Sequence, residues 1–192
     1  MVSKDFEKLR LEMDAYDKAR ERIIINSRAI TKESKAAIYA LQRDEDEEAA
    51  AHLKTARAAI DSLLPTIKKD PTLRTGGFSG GVEEYVEAVA FQYFLHEGKL
   101  LSRTAVPFAD AEEYLGGLCD LTGELNRYGV LRATKGDRES VQRIRDVIDE
   151  IYGALSTFDL RNGDLRRKYD AVKYALQKIE QVLYDLSLRP KV

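Results

Sequence analysis

Between Phe6 and Leu41, apolar side chains return in alternating threes and fours: Phe6, Leu9, Met13 and Tyr16, then Ile23, Ile30, Ala37 and Leu41. That spacing lines one face of an α-helix, and no glycine or proline interrupts it. It predicts one continuous helix from about Asp5 to Arg43. Arg20, Ser27 and Ser34 fall on the same seam, so the middle of the rod is not a dry coiled coil. An element this long has to bury its seam lengthwise on other long elements or on a partner subunit, which favours an all-α bundle.

The remaining segments agree. The acidic run DEDEE, residues 44–48, suits a turn and the first turn of a second helix, because carboxylates are stabilised at helix N-termini. That helix is expected to reach about Lys69, with Pro65 bending or ending it. DPTLRTGGFSGG, residues 70–81, reads as a loop; it lacks the Gly-Lys-Ser/Thr ending of a phosphate-binding P-loop. Further helices are expected at about Val82–His96, Asp110–Ala133 and Asp137–Thr157, with a last one after Asn162-Gly163-Asp164. Its seam is the most regular in the chain: Leu165, Tyr169, Val172, Leu176, Ile179, Leu183 and Leu186. The fourth helix must tolerate Gly116, Gly117, Gly123 and Gly129, each costing roughly 1 kcal/mol relative to alanine, and close helix packing is the expected compensation. No segment alternates with the period of a strand.

A chain of 192 residues that is 44% hydrophobic can bury one substantial core, and a single domain is expected. Its 31 basic and 33 acidic residues nearly cancel, which excludes a uniformly basic nucleic-acid binder but not a segregated basic surface. The lone Cys119 can form neither an internal disulfide nor a Cys-based zinc finger. The N-terminus has no apolar core of a signal peptide, and no run approaches a membrane span, so a cytoplasmic, soluble protein is expected.

The chemistry points to the acids. Glu84 and Glu87 share one helix face, with Glu83 offset to the side. Asp120 and Glu124 share a face of the next long helix, and Glu113 precedes Asp120 by one heptad. No Lys or Arg is interleaved at these positions. Clustered carboxylates raise one another's pKa unless a positive charge sits among them. A divalent cation would supply it, and oxygen-only ligands without His or Cys suit Mg²⁺ or Mn²⁺. Such an ion activates water and stabilises charge on a phosphodiester oxygen. The same spacing also occurs on solvated helix surfaces, so spacing alone leaves both readings open.

His52 and His96 suit exposed or capping roles, and nothing supports a Ser-His-Asp or Cys-His site. A di-iron centre would need Glu-x-x-His, which is absent. A nucleoside-triphosphate pyrophosphatase would match Glu-Glu-x-x-Glu at 83–87 but would then need Glu-x-x-Asp, where this chain has Asp-x-x-x-Glu. Basic residues are segregated: residues 18–43 carry Lys18, Arg20, Arg22, Arg28, Lys32, Lys35 and Arg43 against Glu21 and Glu33. Residues 161–178 carry Arg161, Arg166, Arg167, Lys168, Lys173 and Lys178 against Asp164 and Asp170. If these two helices are neighbours, they form a phosphate-binding strip.

Four long segments, SRAITKESKAAIYALQR (27–43), EEYVEAVAFQYF (83–94), EEYLGGLCDLTGELNRYGV (112–130) and NGDLRRKYDAVKYALQKIEQVLYDLSLR (162–189), resemble the translin family, in the family's order. The first three look most like translin-associated factor X and the fourth like translin, a combination similar to the archaeal factor-X-like members. The resemblance implies an all-α fold of about seven helices, a long antiparallel bundle that assembles into a homo-octameric shell around RNA or single-stranded DNA. It implies a Mg²⁺-dependent endoribonuclease, with Glu84, Glu87, Asp120 and Glu124 as metal-binding and catalytic acids; Glu113, one heptad before Asp120, is expected beside them as an outer member. Arg20, Arg22, Arg28, Lys32, Lys35, Arg166, Arg167 and Lys168 would position nucleic acid. The alternative is a non-catalytic, nucleic-acid-binding shell of the translin type.

Overall fold

Asp44, the first residue of the acidic run, takes a left-handed φ of 61° and turns the chain, while Arg132 holds its carboxylate at 2.9 Å. Asp46, Glu47 and Glu48 then fall in the first turn of the second helix, where the helix dipole favours them. In the computed structural model, which describes residues 2–74 and 76–188, the α-helices are α1 (Val2–Leu41), α2 (Asp46–Lys69), α3 (Gly77–Glu97), α4 (Ala111–Thr134), α5 (Arg138–Leu155) and α6 (Asp164–Ser187). Short 3₁₀ turns at Pro71–Leu73 and Arg103–Ala105 join α2 to α3 and α3 to α4. The fold is all-α with six α-helices among the described residues, rather than about seven. Thr75, in the Gly-rich stretch, and Arg189, at the end of the last translin-like segment, lie outside the described residues.

The Gly-rich stretch departs from its expected loop. Gly77 to Gly81 form the first turn and more of α3, with Phe78 fully buried. A Cβ on Gly81 would stand 3.3 Å from Ile30 Cβ, so the missing side chains let α3 settle closely on α1. Packing here overrides the glycines' poor helix propensity.

Contacts along the helices set their directions. Ser27, Ile30 and Lys35 of α1 meet Gly77, Gly81 and Glu84 of α3 in ascending order. Glu83 and Phe91 of α3 meet Gly117 and Tyr128 of α4, while Asp120, Asn126 and Gly129 of α4 meet Lys168, Ala175 and Ile179 of α6. Thus α1, α3, α4 and α6 run the same way. α2 runs against α3 (Asp46 to His96), and α5 against α6 (Arg145 to Glu180, Tyr152 to Tyr169). The expected antiparallel order therefore holds for these hairpin neighbours but not between α3 and α4. The connection at 98–110 carries the chain back along the bundle before α4 begins. One level of the bundle consequently receives side chains from four co-directional helices.

Two of the α4 glycines make the α3–α4 approach possible. A Cβ on Gly117 would lie 2.7 Å from the Glu83 carbonyl oxygen and 2.8 Å from Val86 Cβ, and one on Gly116 would strike the Glu83 carboxylate. Gly123 has nothing within 4 Å, so close packing does not account for it. Gly117→Ala is expected to lower stability by about 1–3 kcal/mol, read as a reduced urea midpoint at unchanged slope.

Candidate active site

The acids come together from α3 and α4. Glu87 is 8% exposed, and no side chain among the described residues hydrogen-bonds or pairs with it. Its carboxyl is raised from 4.5 to about 8 by burial first, and then by Asp120, Glu84 and Glu124, with Lys35 opposing. Asp120 is raised from 3.8 to about 6 by burial and by Glu84, again opposed by Lys35. All four predicted acids therefore lie within electrostatic reach of one another, and Glu87 is their buried centre.

Two lysines enter the cluster from outside the acidic helices. Lys35 of α1 pairs with Glu84 at 3.0 Å, and Glu84 raises the lysine's pKa. Lys168 of α6 bridges Glu83 and Asp120. The expectation that no cation is interleaved held only within α3 and α4, because the cations arrive from helices 49 and 48 residues away from their partners. Glu83, offset from that face, also takes part: it shares Lys168 with Asp120 and packs over Gly116.

Gln42, in the turn just after α1 and a buried residue that periodicity treats as one more polar position, fixes Glu124. Its Nε2 donates to Glu124 Oε2 at 2.8 Å and to the Glu124 carbonyl at 3.0 Å. Only the α1–α4 proximity discloses this role. Arg127 stands 3.8 Å from the same carboxylate.

Glu113 is not an outer member of the site. It is 1% exposed and belongs to the capping box of α4, accepting from the Asp110 amide while its own amide donates to Asp110. Its charge is met by Arg74 at 2.5 Å, which also donates to the Phe108 carbonyl at 2.6 Å.

The basic residues do not form the single strip. α1 packs on α2 and α3, α6 packs on α4 and α5, and α1 and α6 are not a packed pair. Arg20, Arg22, Arg28 and Lys32 are exposed along α1. Arg166 pairs with Asp170, and Arg167 pairs with Asp164 and lines a cavity of about 480 Å³ beside Glu83, Asp120 and Lys168. Basic charge thus flanks the acids from two sides. His52 pairs with Glu33 at 2.6 Å and His96 with Asp46 at 3.2 Å, both apart from the acids.

Among the described residues, no set of three or more His, Cys, Asp or Glu side chains stands arranged to hold a metal ion; Lys35 and Lys168 engage Glu84 and Asp120 instead. The donor chemistry nevertheless fits a hard divalent cation, because every donor is a carboxylate oxygen and the most buried one has no partner. No helix among the described residues is long and apolar enough to cross a membrane.

Comparison with known proteins addresses the family and the fold. The family model described as Translin family matches residues 18–190. Translin of Gallus gallus is 32% identical over 157 residues, covering 74% of this chain and 69% of that protein. The match to Bos taurus translin covers 53% of that protein. A translin-associated protein X homolog of Schizosaccharomyces pombe is 29% identical over 194 residues, covering 88% and 81%. Among solved structures, apo-NeC3PO superposes with a TM-score of 0.85 at 26% identity, covering 94% of this chain and 96% of that one. AfC3PO in complex with duplex RNA gives a TM-score of 0.82 at 22% identity, covering 96% and 97%. The chain belongs to the translin family.

Proposed function

We propose that this protein is a divalent-metal-dependent endoribonuclease that hydrolyses phosphodiester bonds of RNA, also accepts single-stranded DNA, and works as a homo-octameric shell. The observation carrying the proposal is Glu87: a nearly buried, unpartnered carboxylate facing three others is costly unless a cation completes it. The AfC3PO structure in complex with duplex RNA supports RNA as the ligand. Apolar positions left exposed on α1 (Phe6, Leu9, Met13) and at the end of α6 (Tyr184 and the following Leu188) support contacts between copies.

Glu84, Glu87, Asp120 and Glu124 would hold Mg²⁺ or Mn²⁺, which when bound supplies positive charge and lowers the pKa of water. The chain's own groups prepare the site. Glu87 stays largely protonated near neutral pH and releases its proton as the cation is taken up. Gln42 fixes the Glu124 oxygen through its amide. Lys35 and Lys168 hold Glu84 and Asp120 from outside and present ammonium groups beside the cluster for phosphate oxygens.

A second reading, a nucleic-acid-binding shell without turnover, is favoured by the same two lysines, since they already neutralise two of the four acids. Incubating labelled single-stranded RNA with the protein, with and without Mg²⁺, separates the two. Mg²⁺-dependent cleavage lost in Glu87→Ala supports the nuclease; cleavage indifferent to that substitution contradicts the site. Binding without cleavage under any divalent ion supports the shell. Pyrophosphate release from a nucleoside triphosphate would support neither. Under both readings the flanking basic groups make RNA affinity fall steeply as salt rises, by about 0.7 of a log unit per log unit of salt for each phosphate neutralised, as fluorescence anisotropy would measure.

A further inference from the structure

We infer that the groove between the C-terminal halves of α1 and α4 is the subsite for the nucleotide adjoining the bond that is cut, with Tyr39 stacking on its base and Arg43 and Arg127 meeting its phosphates. This rests on the nuclease reading and adds to it where the substrate chain runs.

The groove, of about 430 Å³, is lined by Tyr39 of α1, by Gln42 and Arg43 of the turn that follows it, and by Arg127, Val130 and Leu131 of α4. Gln42 belongs to both places. It forms part of the groove wall, and its side-chain amide holds the Glu124 carboxylate at 2.8 Å, so the groove starts at the acids. Helix periodicity carries it onward. Lys35 and Tyr39 stand four residues apart on the exposed face of α1, Arg43 follows in the exposed turn just beyond its end, and Lys35 touches Glu84. On α4, Arg127 and Leu131 continue the face that begins with Glu124.

The lining has the chemistry of a single-strand platform. Tyr39 is 54% exposed although it borders a core helix, and Val130 and Leu131 are 38% and 37% exposed beside it. The Arg43 guanidinium lies 5.2 Å from the centre of the Tyr39 ring and 3.3 Å from its hydroxyl, which steadies the ring. Arg43 also pairs with Glu45 at 2.7 Å, and Arg127 stands 3.8 Å from Glu124. Both side chains are more than half exposed. An open aromatic ring with arginines on both walls binds a base by its face and the adjoining phosphates by charge, without reading sequence.

The chain contains no tryptophan, so Tyr39→Trp introduces a single indole reporter. Titrating that variant, without divalent ions, with a short dye-labelled oligouridylate is expected to quench the indole emission along the same saturation curve as the dye's anisotropy. Tyr39→Ala is expected to weaken binding and raise KM by about 10- to 100-fold, with Tyr39→Trp retaining near-parent affinity. Arg127→Ala is expected to lower the salt slope by about 0.7. Unquenched emission while anisotropy reports binding overturns the inference, as does a Tyr39→Ala variant that binds and cleaves like the parent. A fall in oligomeric mass on Tyr39→Ala also overturns it, marking the groove as an interface between copies. If the parent protein bound no RNA at all, the nuclease reading would fail and this subsite with it; RNA cleaved normally by Tyr39→Ala removes the subsite alone.

Discussion

Glu87→Gln is expected to remove Mg²⁺-dependent RNA cleavage by at least about 10³-fold while making the metal-free protein more stable at pH 8. The first effect follows from losing one charged ligand of a cation whose electrostatic contribution is several kcal/mol, each 1.36 kcal/mol being tenfold in rate. The second follows from the sign of the pKa shift. Glu87 is raised from 4.5 to about 8 in the fold, so between those values the folded state holds a proton that the unfolded chain has released. The contribution of Glu87 to stability is fully present below about pH 4.5 and is lost as pH rises through 8. Glutamine keeps the shape and removes the ionisation. The variant should therefore gain roughly 2–4 kcal/mol over the parent in metal-free buffer at pH 8, and little at pH 4.5, measured by urea unfolding at both pH values. Saturating Mn²⁺ should narrow the gap by stabilising only the parent. Equal pH dependence in the two proteins would mean that Glu87 is not the strained centre of the cluster.

Arg74→Ala is expected to destabilise the fold by about 3–5 kcal/mol, more than Gly117→Ala, with a corresponding fall in thermal midpoint. Among the described residues, Arg74 is the one cation paired with Glu113, which is 1% exposed and cannot regain water when its partner is removed. The guanidinium also donates to the Phe108 carbonyl, pairs with Asp110 at 3.4 Å and lies over the Phe78 ring at 5.5 Å. It thereby ties the turn before α3 to the start of α4. Replacing both members, Arg74→Met with Glu113→Gln, should recover much of the loss, since the penalty comes from an uncompensated buried charge rather than from the pair as such. Failure of the double variant to recover would show that Arg74 acts through the Phe108 and Asp110 contacts.

These two positions mark what the amino-acid order discloses. Glu87 was legible because a helix repeats every 3.6 residues: its spacing from Glu84, and that of Asp120 from Glu124, places each pair on one face before any packing is known. The helices themselves were legible for the same reason, to within a few residues at most ends. Glu113 shows the limit. Its heptad relation to Asp120 is real, yet its partner is Arg74, 39 residues earlier, and no periodicity within α4 announces that contact. Lys35, Lys168 and Gln42 likewise act on acids 49, 48 and 82 residues away. Their roles arise because α1, α3, α4 and α6 run the same way and meet at one level. The helical start at Gly77 is the converse case, where local propensity argues for a loop and contact with Ser27 and Ile30 overrides it. The two basic segments were visible as composition, but their separation on either side of α3 and α4 depends on the topology.

The most direct measurement is the proton released on Mn²⁺ binding. Titration calorimetry at pH 7, in buffers of differing ionisation enthalpy, reads it without requiring turnover. The carboxylate account predicts Mn²⁺ binding with release of close to one proton per site, contributed mainly by Glu87, and loss of that release together with at least about tenfold weaker binding in Glu87→Gln. Mn²⁺ bound by Glu87→Gln with unchanged affinity and proton count would contradict it.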